Sequence, residues 1–93
     1  MKFEWDLKKE KLNIKKHKIS FTEAASIFFD DYAIAEFDRS HSDVEDRVKI
    51  IGYSENLNLL FVVFAERDQN SIRIISARKA TKVERNKYEE KRR

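Results

Sequence analysis

The chain has 93 residues, of which 41% are apolar and 40% charged, with a formal net charge of +3 at pH 7 and eleven aromatics (seven Phe, three Tyr, one Trp), so it is read as one small folded domain with a modest core rather than a disordered segment. It contains no Cys, no Pro and a single Gly, which excludes a disulfide framework, a thiolate zinc site, a cysteine nucleophile and a glycine-rich phosphate loop. No apolar run approaches the roughly 20 residues of a membrane helix, and Met1-Lys2-Phe3-Glu4-Trp5-Asp6 lacks the apolar stretch of a secretory signal, so an intracellular, cytoplasmic protein is expected.

Phe3 to Trp5 reads as a short extended start. Asp6 is an N-cap for a helix running to about His17. Leu7, Leu12 and Ile14 are its apolar residues, which predicts docking along a narrow stripe. Lys18 stands where a Gly normally closes such a helix, and a left-handed Lys costs about 1 kcal/mol relative to Gly. Ser20-Phe21-Thr22-Glu23 fits a capping box. It opens a short helix to about Phe29 in which Phe21, Ala24, Ala25 and Phe28 share the core face. Tyr32 to Phe37 is a first strand, and the polar stretch 38–46 a loop or a single helical turn. Arg47 to Tyr53 is a second strand, whose Gly52 marks a bulge or a close backbone approach. Leu59 to Arg67, the most apolar run, is a central covered strand, Asp68 to Ser71 a hairpin loop, and Ile72 to Ala77 a fourth strand. Thr81-Lys82-Val83-Glu84 is a second capping box, opening a helix over about 82–92 anchored by Val83 and Tyr88. The expected fold is α+β: a four-stranded antiparallel sheet flanked by two N-terminal helices and one C-terminal helix, with one dry face and one wet or functional face.

Charge is segregated along the chain. Residues 1–18 carry seven Lys against three acids and residues 78–93 eight Lys or Arg against three, while 19–77 carry five basic and eleven acidic side chains. Basic ends that meet in space make a surface for a polyanion, nucleic acid above all. The alternative is a set of ordinary solvated helix faces.

Seven segments, taken together, resemble the BrnT family of ribonuclease toxins: FEWD at 3–6, NIKKH at 13–17, SFTEAASIFFDD at 20–31, HSDVEDR at 41–47, IGYS at 51–54, RIISAR at 73–78 and ERNKYE at 84–89. The resemblance covers almost the whole chain in order and makes residues 1–93 a single BrnT-like toxin domain. It implies a RelE-like fold and an RNA endonuclease that inhibits growth without a metal or other cofactor. It also implies a BrnA-type antitoxin with a ribbon-helix-helix DNA-binding part, through which the complex binds operator DNA. Lys18 departs from the family pattern, which favours Gly after the Lys-His pair. The alternative function is a catalytically inactive partner, a co-repressor subunit that only shapes the DNA-bound complex.

Metal-free RNA cleavage requires a base for the attacking 2′-hydroxyl, an acid for the leaving oxygen and cations around the pentavalent phosphate. His, Glu and Lys carry protons, and Arg is the best phosphate clamp because its charged fork is bidentate. No His-x-x-x-His spacing suggests zinc. His17, near a helix C-terminus that favours its protonated form, is a candidate general acid and shares a face with Asn13; the bland alternative is a cap on the helix carbonyls. Glu45 is a candidate because it lies in a family-like segment, whereas His41 reads as part of a loop ion pair. With a four-residue hairpin loop, Arg67 pairs with Ile72 and Glu66 with Arg73, and Arg67 and Arg78 share a face about 20 Å apart. Arg78 is the first choice for transition-state stabilisation and Arg67 the second; a one-residue change of register exchanges the parts of Arg67 and Arg73. The catalytic candidates are therefore His17, Glu45, Arg67 and Arg78. Lys16, Arg73 and Trp5 are the RNA-contacting ones, Trp5 as a base-stacking ring whose alternative is a core position.

Overall fold

A computed structural model describes residues 1–38 and 46–92. Its elements are β1 (Lys2–Glu4), α1 (Leu7–His17), α2 (Phe21–Ser26) continued by a 3-10 turn (Ile27–Phe29), β2 (Ile34–Asp38), β3 (Arg47–Tyr53), β4 (Leu59–Asp68), β5 (Ser71–Lys79) and α3 (Lys82–Arg92). The strands form one sheet in the order β1-β5-β4-β3-β2, with β4 central as its apolar run requires.

The sheet has five strands and is mixed, not four and antiparallel. β1 pairs parallel to β5, Phe3 lying opposite Ile72. Three residues cannot display a strand period, and their partner is far away in sequence. What seats β1 is Phe3, whose ring meets that of Phe28 with centroids 5.1 Å apart. β2 begins at Ile34 rather than Tyr32 because Asp30 first turns the chain: its carboxylate accepts the Tyr32 N–H at 2.9 Å, and its carbonyl accepts the Ala33 N–H at 3.1 Å.

One sheet face carries the main core. Val48, Ile50, Leu60, Val62, Phe64, Ile72, Ile74 and Ala77 pack under Ile19, Phe21, Ala24 and Ile27. A smaller cluster on the other face joins Ile51 and Leu59 to Tyr88 of α3. Tyr88 is the buried anchor of that docking, and its hydroxyl donates to Asp30 Oδ2 at 2.6 Å. Val83, expected as a second anchor, is exposed. Burial works against ionised Asp30, but donors from Tyr53, Tyr88 and Tyr32 and the nearby Arg92 charge outweigh it, holding the carboxyl below its usual range. Burial and the Asp30 partner push the Tyr88 hydroxyl pKa well up. Gly52 serves a close approach: a Cβ there would stand 3.1 Å from Ala33 Cβ and 3.3 Å from the Ile27 carbonyl.

α1 is not docked by its apolar stripe. Leu7, Leu12 and Ile14 are exposed, and the buried residue is Asn13. Its amide donates to the Ile19 carbonyl at 2.9 Å and the Ala77 carbonyl at 2.8 Å, and its oxygen accepts the Ala77 N–H at 3.1 Å. β1 pairs with β5 only at residues 71–73. Farther along that edge, the Asn13 side chain takes the place of a strand. Asp6 caps the helix start by accepting the Lys9 N–H at 3.0 Å. At its end Lys18 is left-handed (φ 64°, ψ 23°), as its position predicts, and its N–H closes on the Ile14 carbonyl at 2.8 Å.

Ser20 caps α2 through the Glu23 N–H at 3.1 Å. The Glu23 carboxylate, instead of returning to the cap, accepts from the Ser54 hydroxyl at 2.6 Å and the Asn58 amide at 2.8 Å, tying α2 to the β3–β4 turn. Burial raises its pKa, but these donors, Asn56 and the Lys79 charge outweigh that and leave the carboxyl below its ordinary value.

Candidate functional site

The sheet face opposite the main core is only partly covered by α3. Pairing sets its side chains in rows across β3, β4 and β5: Arg47, Ala65, Arg73; Lys49, Val63, Ser76; Ile51, Phe61, Arg78. With strands about 4.8 Å apart, Arg47 and Arg73 stand roughly 10 Å from each other at Cα.

The gathering of Arg73 and Arg78 depends on a bulge. The two are five residues apart, so strict alternation would send them to opposite faces. Val63 pairs with Ser76 but Phe64 with Ile74, which leaves Ile75 as an extra residue in β5. The bulge resets the phase. Both arginines reach the open face, while Ile72, Ile74 and Ala77 all reach the core.

A second irregularity corrects the expected hairpin register. Glu66 pairs with Ile72, Ala65 with Arg73 and Asp68 with Ser71, so Arg67 itself is the bulged residue. The turn is held by Asp68, whose carboxylate accepts the Asn70 N–H at 2.9 Å. The expected pairings of Arg67 with Ile72 and Glu66 with Arg73 do not form. Arg67 lines a small groove with Asp46, Glu66 and Asp68, an acidic setting at the far end of the sheet, about 20 Å from Arg78.

Arg78 is tightly held. Its Nη1 and Nη2 donate to Glu84 Oε1 and Oε2 at 2.8 and 2.9 Å, and Nη1 also to the Lys79 carbonyl at 3.2 Å. Its guanidinium lies 4.1 Å from the Phe61 ring centroid, a cation–π contact. The hydrogen bond to Glu84 raises the already high Arg78 pKa, and the same bond, joined by the Thr81 N–H, lowers that of Glu84 against burial. The Arg78 side chain stays one-third open, with 34% of its surface exposed.

The other candidates are dispersed. His17 is the last residue of α1, half-buried, one turn or about 6 Å beyond Asn13. Because β1 runs parallel to β5 and Asn13 is fixed at Ala77, His17 lies toward the Arg78 end of β5. Lys16, next to it, is exposed. Trp5 is half-buried: its Nε1–H donates to Glu10 Oε1 at 3.2 Å and its ring meets Phe21 edge-on at 6.1 Å. Glu10 Oε2 also accepts the Phe21 N–H at 2.9 Å, so Trp5 helps staple α1 to α2. Glu45 and His41 lie outside the described residues. The basic ends do not merge on one face, since α1 borders β5 while α3 docks across the sheet on Ile51 and Leu59.

Arg47 and Lys49 join this face although sequence reasoning did not single them out. Their signal was available in the Arg47, Lys49, Ile51 alternation of a correctly bounded strand. Beside them a groove of 740 Å³ runs between β2 and α3, with Lys49, Lys87 and Lys91 in its walls. Among the described residues no cluster of three or more His, Asp or Glu side chains is placed to hold a metal ion.

A family model described as "Ribonuclease toxin, BrnT, of type II toxin-antitoxin system" matches residues 5–84. The chain belongs to the BrnT family. The crystal structure of the Brucella abortus ribonuclease toxin BrnT is similar, with a TM-score of 0.65 and 26% sequence identity, covering 88% of this chain and 99% of that one. A search of curated proteins finds no match. The α+β architecture, with its three helices and five-stranded mixed sheet, is thus a BrnT architecture. The BrnT match runs from the residue that staples α1 to the residue that clamps Arg78. Membership makes this a toxin-type chain of a type II toxin–antitoxin system, which implies an antitoxin partner and an RNA substrate.

Proposed function

We propose that this BrnT chain is an endoribonuclease that cuts RNA on its open sheet face without a metal ion, with Arg78 stabilising the reaction's phosphate. The observation that carries the reading is the Ile75 bulge, which adds Arg73 and Arg78 to the face already holding Arg47 and Lys49. A ribose 2′-oxygen attacks the adjacent phosphorus and the 5′-oxygen leaves, giving a 2′,3′-cyclic phosphate and a new 5′-hydroxyl. Arg78 meets the charge that builds on the pentavalent phosphate. His17 supplies the proton to the leaving oxygen, and Glu45, on sequence grounds alone, takes the proton from the 2′-hydroxyl. Arg47, Lys49, Arg73 and Lys16 hold the flanking backbone. Arg67, about 20 Å from Arg78, contacts the strand beyond the cut. Trp5 offers its exposed edge to a base.

A BrnA-type ribbon-helix-helix antitoxin silences the toxin by laying acidic residues over the basic face, and the complex binds operator DNA through the antitoxin. The 93 residues act as one toxin domain in the cytoplasm. Among the described residues no helix is long and apolar enough to cross a membrane.

The test is cleavage of purified RNA in excess EDTA by the chain freed of any partner, with Arg78→Ala prepared in parallel. Cleavage by the parent and not by the variant is expected. Equal cleavage by both removes Arg78 from the site, and cleavage by neither shifts the reading to a binding-only co-repressor subunit.

A further inference from the structure

An arginine has five N–H donors. In Arg78 three are committed: both Nη atoms to Glu84 and Nη1 again to the Lys79 carbonyl. Glu84 therefore covers the end edge of the guanidinium, between Nη1 and Nη2. The side edge, made of Nε–H and the second Nη2–H, keeps two parallel donors that have no partner among the described residues. The carboxylate fixes the guanidinium within its plane and the Phe61 ring beneath fixes the plane itself.

Glu84 is held in turn. Its Oε1 accepts the Thr81 N–H at 2.8 Å and its own N–H donates to Thr81 Oγ1 at 3.2 Å, so a helix cap anchors it in the first turn of α3. The same carboxylate thus serves two ends. Capping needs only one of its oxygens, and the fork to Arg78 uses both.

We propose that Glu84 is a positioning residue for RNA cleavage: it turns Arg78 so that one two-donor edge faces the open sheet face and grips the reacting phosphate bidentately. The proposal rests on Arg78 being the phosphate clamp. Arginine–phosphate pairs favour this forked geometry, and a cation aligned in advance costs no reorganisation when the charge develops. Glu84 also subtracts one charge from a basic face, so its loss strengthens the pull on RNA while loosening the alignment. A helix cap with no part in cleavage predicts the stronger pull without the loss of alignment, and so no fall in kcat.

The experiment measures kcat and KM on RNA in EDTA for the parent, Glu84→Gln, Thr81→Ala and Arg78→Ala, with melting temperatures for each. In Glu84→Gln, kcat falls on the order of 10²-fold while KM is unchanged or lower. Thr81→Ala, which weakens the same cap but spares the fork, keeps the parental kcat. In an Arg78→Lys background, which has no fork to align, Glu84→Gln causes no further loss. Parental kcat in Glu84→Gln, an equal loss in Thr81→Ala, or a full additional loss in the Lys background overturns Glu84's role while leaving Arg78's intact. Failure of the parent to cleave, or full cleavage by Arg78→Ala, overturns instead the reading on which the proposal rests.

Discussion

Asn13→Ala is a sharp test of how α1 is held, because it removes three hydrogen bonds without touching an apolar contact of the main core. The truncation strips partners from the Ala77 N–H, the Ala77 carbonyl and the Ile19 carbonyl, around a side chain only 7% exposed. A typical intramolecular bond contributes about 0.5–1.5 kcal/mol, and a buried group left unpaired costs about 1–3 kcal/mol. Water entering the β5 edge recovers part of this, so a net loss of about 3 kcal/mol is expected. A domain of this size has roughly 5–14 kcal/mol in all. In urea unfolding, with a slope of roughly 1–1.5 kcal/mol/M, the midpoint falls by roughly 2–3 M. Leu12→Ala, the neighbouring position on the exposed side of α1, changes stability by no more than about 0.5 kcal/mol. A loss below about 1 kcal/mol for Asn13→Ala, or an equal loss for Leu12→Ala, refutes the argument that one amide does the work of a strand.

Two further outcomes concern the caps and the buried acids. Lys18→Gly relieves a left-handed backbone at φ 64°; the relief of about 1–2 kcal/mol, less about 0.4–1 kcal/mol for the looser unfolded chain, gives a net gain near 0.5–1 kcal/mol, read by calorimetry as a melting temperature about 3–6 °C higher. Asp30 and Glu23 both ionise more easily folded than unfolded, so their contribution is complete above the ordinary carboxylate range and is lost as pH falls through their depressed values. The melting temperature is therefore flat from neutral pH down to about 5 and then drops; Asp30→Asn starts lower at pH 7 and shows a shallower acid limb, and an unchanged limb would contradict the assignment.

Much of the fold is legible in local chemistry. β3 has the bounds its alternation gives, α3 spans the residues after its capping box, and Lys18 takes the strained conformation its position demands. What local chemistry does not carry is pairing at a distance. β1 is three residues long and its partner is β5, so no period announces it. Asn13 looks like an ordinary polar helix residue until its partner Ala77, 64 residues on, is known. The candidate site divides the same way. Arg78 stands where local chemistry places it, near the end of the last strand before the basic helix. The companionship of Arg73, and the loss of Arg67's pairing with Ile72, depend on two bulges that leave no mark in hydrophobic alternation, whereas the distance from Arg67 to Arg78 follows from strand length. Glu84 was read as a cap residue, which it is; its second bond to Arg78 needs the strand end and the helix start in three dimensions.

The Ile75 bulge makes the number of residues in β5 a property in its own right. Four residues, Ile74 to Ala77, separate Arg73 from Arg78. Exchanging one apolar side chain for another within them leaves both arginines on the open face. Flattening the bulge at the present length would turn Arg78 toward the core and Ala77 toward solvent, although every named side chain would still be present, whereas removing the extra residue along with the bulge would leave the arginines four apart and, by plain alternation, still on one face. For related chains, then, spacing and bulge are read together: arginines five apart assemble the site only with a bulge, and four apart only without one.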